Sequence, residues 1–247
     1  MALPKVPISL KTLAKAGRFF EGQSGADTII EVLVDTSAGS EFVSLCRKVL
    51  EARPGTAQLT ITGFCNEMPA LNKEAGLLVV VAGTSPLLRR IMEIALWSDL
   101  KCVVLTEDPV ALVAQVPKED ALDIAQTIVG VDCSEPREKL QRDLSKWCLA
   151  HVPQLRLSLG AAFVFMRHPI AVDLTRQTAF ENAAIASVFF LPGADLPLLT
   201  MNQCKLLYQI AVINEVPLSR ERLADLAAVV GAAFGFRGLA RLVLRKL

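Results

Sequence analysis

From residue 27 onward the hydrophobic pattern of the chain switches repeatedly between two periods. Short apolar, β-branched runs stand at 28–34, 57–62, 77–82, 102–106 and 127–131. The unbroken stretch Leu77-Leu78-Val79-Val80-Val81 is what a strand covered on both faces requires. Between the runs, at 40–51, 86–97, 109–116 and 136–150, apolar residues recur at helical spacing. Start signals agree. Asp108-Pro109 and Glu135-Pro136 place proline at the head of a helix, where its missing N–H costs nothing, with Asp108 and Ser134 as candidate caps. Such alternation predicts the α/β class, a mainly parallel sheet of about five to six strands with flanking helices and right-handed crossovers.

After Pro153 the strand pattern stops, and helical spacing predicts segments at 154–167, 171–190, 200–214 and 220–246. Thr200-Met201-Asn202-Gln203 has the form of a capping box, with Thr200 accepting from the amide of Gln203. The pattern divides the chain into a basic amphipathic segment, 1–26, an α/β domain, 27–152, and an all-α C-terminal domain, 153–247.

Composition narrows the function. With 52% apolar residues in a 247-residue chain, a disordered or fibrous protein is excluded. Twenty-six basic against 25 acidic residues leave a net charge of +1, which removes the argument for a globally basic nucleic-acid binder. The charges are unevenly spread: residues 1–20 carry Lys5, Lys11, Lys15 and Arg18 and no acid, and residues 220–247 carry six bases against Glu221 and Asp225. Lys11, Lys15 and Arg18 align beside Leu10, Leu13 and Phe19, while Arg237, Arg241 and Arg245 share a helical face beside Phe234, Leu239 and Leu242. Both stripes fit an anionic lipid surface, a protein partner, or packing on the protein's own acidic body. The longest uncharged windows, 75–88 and 182–194, fall short of the ~18 apolar residues of a spanning helix.

Six cysteines, at 46, 65, 102, 133, 148 and 204, form no CxxC pair and read as buried free thiols in a reducing compartment. The only histidines are His151 and His168, which leaves little material for a zinc site or a cysteine–histidine nucleophile. No metal, no cofactor and no catalytic residue is expected.

The stretch Leu191-Pro192-Gly193-Ala194-Asp195-Leu196-Pro197, followed by Leu199-Thr200-Met201-Asn202-Gln203 and an apolar helix, resembles the family catalogued as domain of unknown function 697. The motif residues are Pro192, Gly193, Asp195, Pro197, Thr200 and Gln203, and the likeness covers roughly residues 155–247. In that family the helical unit commonly follows an Era-like GTPase domain or occurs in inner-membrane proteins, so the resemblance implies bacterial membrane association. It also prompts a comparison of the front half with a GTPase, whose succession of strands and helices is similar, giving a P-loop GTPase-like order. The chemistry departs from it. A phosphate loop needs G-x-x-x-x-G-K-[ST], whereas Val34-Asp35-Thr36-Ser37-Ala38-Gly39-Ser40-Glu41 puts serine at the lysine position and a carboxylate after it. The guanine-reading signature is replaced by Thr106-Glu107-Asp108-Pro109.

Asp35, Thr36, Ser37, Gly39 and Ser40 follow the first strand, where ligands of open α/β sheets bind, and Asp108 and Asp132 end later strands on the same rim. These seven are the candidate ligand-binding residues. The alternative is that Ser40 caps the next helix while Asp35 and Thr36 shape the turn. The expectation is a non-enzymatic bacterial scaffold or regulatory protein with a pseudo-GTPase domain, cytoplasmic or peripheral at the inner face of the cytoplasmic membrane. Its partners would be an anionic membrane surface or a protein, with a homo-oligomer open and no nucleic acid. The alternatives are an atypical GTP- or ATP-binding switch and a soluble interaction scaffold.

Overall fold

The computed structural model describes residues 28–115, 120–131, 136–188 and 196–216. Five strands, β1 (Ile29–Asp35), β2 (Gln58–Phe64), β3 (Leu77–Val81), β4 (Cys102–Thr106) and β5 (Ile128–Gly130), form one parallel sheet in the order β2-β1-β3-β4-β5. Every strand lies within two residues of its apolar run. The helices are α1 (Ser40–Val49), α2 (Leu87–Trp97), α3 (Pro109–Ala114), α4 (Ala121–Ala125), α5 (Pro136–His151), α6 (Arg156–Ala162), α7 (Val164–Val188) and α8 (Leu196–Ile213). The succession is the expected one, with α4 added. The lateral order is that of flavodoxin-like doubly wound sheets, so the GTPase-like order is not confirmed: the order of elements along a chain leaves the choice of sheet neighbours open.

β1 shows why the sheet is covered twice. Its alternation sends Leu33 to one face, where it joins a core with Leu78, Val80 and Val104 beneath Leu88, Ile91 and Ala95 of α2. Ile30 points to the other face, where it shares a small apolar space with Val79, Leu50, Leu144, Leu159 and Met166. β3 and β4 are buried along their whole length, as continuous apolar runs demand. The crossover from β2 to β3 contains no helix among its residues 65–76. Glu31, buried in mid-strand, holds it down: its Oε2 accepts from the Asn72 amide at 3.0 Å.

One compact unit runs from Gly25 to Ile170, past the composition change at 152/153. The reason is packing. Residues 157–162 of α6 are all buried, the Arg53 amide donates to the Ala162 carbonyl at 2.9 Å, and Thr28 Oγ1 lies 2.8 Å from Ser158 Oγ. The helix expected at 154–167 breaks instead at Phe163, whose backbone is extended, and α7 runs on through Pro169.

The described remainder, residues 171–188 of α7 and all of α8, belongs to the second unit, in which Asn202 Nδ2 donates to Asn182 Oδ1 at 3.1 Å. α8 begins at Leu196, so Thr200 lies inside the helix and does not cap it. Pro197 in the first turn, where its lack of an N–H is harmless, marks the start that the capping-box pattern misplaced. Among the described residues no helix is long and apolar enough to cross a membrane.

Candidate functional site

In the order β2-β1-β3-β4-β5 the topological switch point lies between the carboxyl ends of β1 and β3, where such sheets bind ligands. The candidate loop therefore stands in the expected place. Its interior, however, is filled by the protein itself.

Asp35 is the last residue of β1, on the same face as Leu33, and its side chain is fully buried. Its carboxylate takes four hydrogen bonds. Oδ1 accepts from the Ser37 amide at 2.9 Å and the Ser37 hydroxyl at 2.6 Å, and Oδ2 accepts from the amides of Gly83 at 3.1 Å and Ser85 at 2.9 Å. Burial alone would raise the carboxyl pKa, but the bonds from Ser37, Ser85 and Gly83 outweigh it and hold the group below its ordinary value. The lock is double. Ser37 Oγ also accepts from the Thr84 amide at 2.8 Å, while Ser85 Oγ donates to the Cys65 carbonyl at 2.7 Å. A Cβ on Gly83 would stand 2.5 Å from Ser37 Oγ and 2.6 Å from the Ala38 nitrogen, so the two loops meet too closely for any side chain there.

The other candidates have local duties. The Thr36 amide donates to the Phe64 carbonyl at 2.9 Å, tying the loop to β2. Gly39, not Ser40, is the N-cap of α1, and it offers no side-chain cap; Ser40 is the first helical residue and is exposed. Beside that helix start lies Glu107, whose Oε2 would be 3.6 Å from a Cβ on Gly39. A helix N-terminus favours an anion, and here a carboxylate of the chain itself is the neighbouring anion. Asp108 caps α3, accepting from the Ala111 amide at 2.9 Å.

Asp132 lies outside the described residues, as do Lys11, Lys15, Arg18, Arg237, Arg241, Arg245, Pro192, Gly193 and Asp195. Pro197 and Gln203 are both in α8, Gln203 half-buried. The residues that sequence reasoning missed are Gly83, Thr84, Ser85 and Glu107. A signal was present: Ala82-Gly83-Thr84-Ser85-Pro86 has turn composition directly after the most apolar strand.

Among the described residues no three His, Cys, Asp or Glu side chains gather as metal ligands. Burial pushes the Cys102 and Cys148 thiols up to about 12, and burial together with the Glu107 charge does the same to Cys46. A cavity of about 240 Å³ at the opposite, N-terminal rim of β4 and β5 is lined by Asp99, Lys101, Asp123, Trp147 and His151. There the His151 ring stacks on Trp147 with centroids 4.7 Å apart, and Trp147 Nε1 donates to the Gln126 carbonyl at 2.6 Å.

Comparison of the chain with family models, with curated proteins and with solved structures returned no match.

Proposed function

We propose that this protein works without catalysing a reaction, as a scaffold or regulatory protein whose α/β unit keeps a GTPase-like succession of elements but takes no nucleotide at its switch point. The observation that carries this reading is the saturation of Asp35. The Asp35 carboxylate already takes the donors of Ser37, Gly83 and Ser85, and the close approach of the two loops at Gly83 leaves no space for a phosphate beside it. The electrostatics point the same way. Glu41 and Glu107 put negative charge at the start of α1, where a nucleotide-binding loop supplies lysine. The test is calorimetric titration of the full chain with GTP and with ATP in the presence of magnesium. No binding heat at millimolar nucleotide is expected, and saturable micromolar binding that requires magnesium would overturn the reading in favour of a switch protein.

A second reading, attachment of the helical part to an anionic membrane surface, is favoured by apolar side chains left in solvent: Val172 and Phe180 on α7, the latter 78% exposed, and Leu198 and Met201 on α8. The resemblance carried by residues 191–203 points the same way. Co-sedimentation with anionic vesicles that weakens as salt is raised would support it, and absence of binding at low salt would exclude it.

A further inference from the structure

We infer that β2 is a self-pairing edge through which two copies of this chain join their sheets into one. β2 is the outermost strand, paired on one side with β1 and, among the described residues, with nothing on the other. Its backbone phase is fixed. The Gln58 amide donates to Thr28 and the Phe64 carbonyl accepts from Thr36, so residues 58, 60, 62 and 64 turn their backbone groups toward β1. Leu59, Ile61 and Gly63 accordingly turn theirs outward.

Ile61 is the middle residue of the seven in Gln58–Phe64. A two-fold axis perpendicular to the sheet through Ile61 makes the two strands antiparallel, with Ile61 opposite Ile61 and each Leu59 opposite the partner's Gly63. All three are hydrogen-bonded pairs, which satisfies every outward N–H and C=O of the strand. On the other face Thr60 lies opposite the partner's Thr62, a favourable cross-strand pair.

The side chains argue for a second copy rather than for solvent. Natural edges are blunted with lysine, proline or an inward-pointing charge. Gln58-Leu59-Thr60-Ile61-Thr62-Gly63-Phe64 contains none of these, and Ile61 is 58% exposed. One edge-to-edge seam is small beside the ~1,200–2,000 Å² of standard interfaces, so a concentration-dependent dimer is expected.

The test is sedimentation velocity of the full chain from low to high micromolar concentration. The wild type should shift from monomer to dimer. Ile61→Lys and Ile61→Glu each place like charges face to face on the axis and should weaken self-association about tenfold or more. Both changes are at an exposed side chain, and circular dichroism checks that the fold is kept. An equimolar mixture of the two variants puts lysine opposite glutamate and should restore dimers. A wild type that stays monomeric throughout, an Ile61→Lys protein that dimerises like the wild type, or a mixture that fails to recover would each overturn the inference.

Discussion

The same buried carboxylate that closes the switch point also supports the fold. Asp35 ends a strand, and each of its oxygens orders a different loop, one through Ser37 and the other through Gly83 and Ser85. Replacing it with asparagine keeps the size but leaves one acceptor oxygen and turns an NH₂ toward amide donors. Unsatisfied buried donors cost roughly 1–3 kcal/mol each, so Asp35→Asn is expected to lose about 3 kcal/mol at neutral pH. The pH dependence has a definite sign. Because the folded carboxyl sits below its ordinary value of 3.8, the native state binds fewer protons than the unfolded one. The stabilisation is therefore complete above that value and is lost as pH falls through the lower folded value. Urea unfolding of both proteins at neutral and at strongly acidic pH checks this: the gap between them should be wide at pH 7 and narrow in acid. A variant as stable as the wild type at pH 7 would contradict the closed-crevice description. The sequence marked Asp35 as a residue of interest because it follows the first apolar run, where open α/β sheets bind ligands. Its partners Gly83 and Ser85 are 48 and 50 residues away, and no local pattern connects them to it.

At the scale of elements, local chemistry was legible wherever it was not contradicted by a second signal. β3 and β4 were readable because an unbroken apolar run of that length, bounded by turn residues, suits a strand covered on both faces. Asp108 at the head of α3 was readable because its capping bond is made within three residues. Helix C-termini were less so. Among the described residues, the two non-glycines with left-handed backbone, Asp99 at φ 52° and Glu215 at φ 53°, both occupy the position usually held by glycine after a helix. The paired bonds of that motif are present, from Leu100 to Ala95 and from Asp99 to Leu96, and again from Val216 to Ala211 and from Glu215 to Val212. The break expected between helices at 154–167 and 171–190 is absent, because α7 continues through Pro169. Pro169 cannot donate to the carbonyl four residues earlier, and a proline in a helix interior costs about 3 kcal/mol relative to alanine. Alanine regains some chain entropy on unfolding, about 0.4–1 kcal/mol, which offsets part of the gain. Pro169→Ala is thus expected to raise the thermal midpoint, and a lowered midpoint would mean that the ring is needed for packing around α7.

For the whole molecule, the boundary expected at 152/153 follows the change in hydrophobic pattern, whereas the compact unit runs on to Ile170 because α6 completes the core over Ile30 and Val79. A change of period reports the local element type; burial of one element by another is a tertiary fact, which composition does not encode. If the unit is a single cooperative body, its sealed thiols should open together. Cys46 on α1, Cys102 at the start of β4 and Cys148 on α5 sit in separate elements and are all buried, with thiols pushed up to about 12, while Cys65 after β2 is partly exposed. Only thiolate reacts, so alkylation at pH 8 should modify Cys65 in the native protein and leave the other three untouched. Across a urea series, peptide mass spectrometry should then find Cys46, Cys102 and Cys148 becoming reactive with one common midpoint, coincident with loss of helical signal. If Cys148 labels well before Cys102, α5 leaves the sheet independently, and the α/β unit is not one folding body but a sheet with a separately docked helical layer.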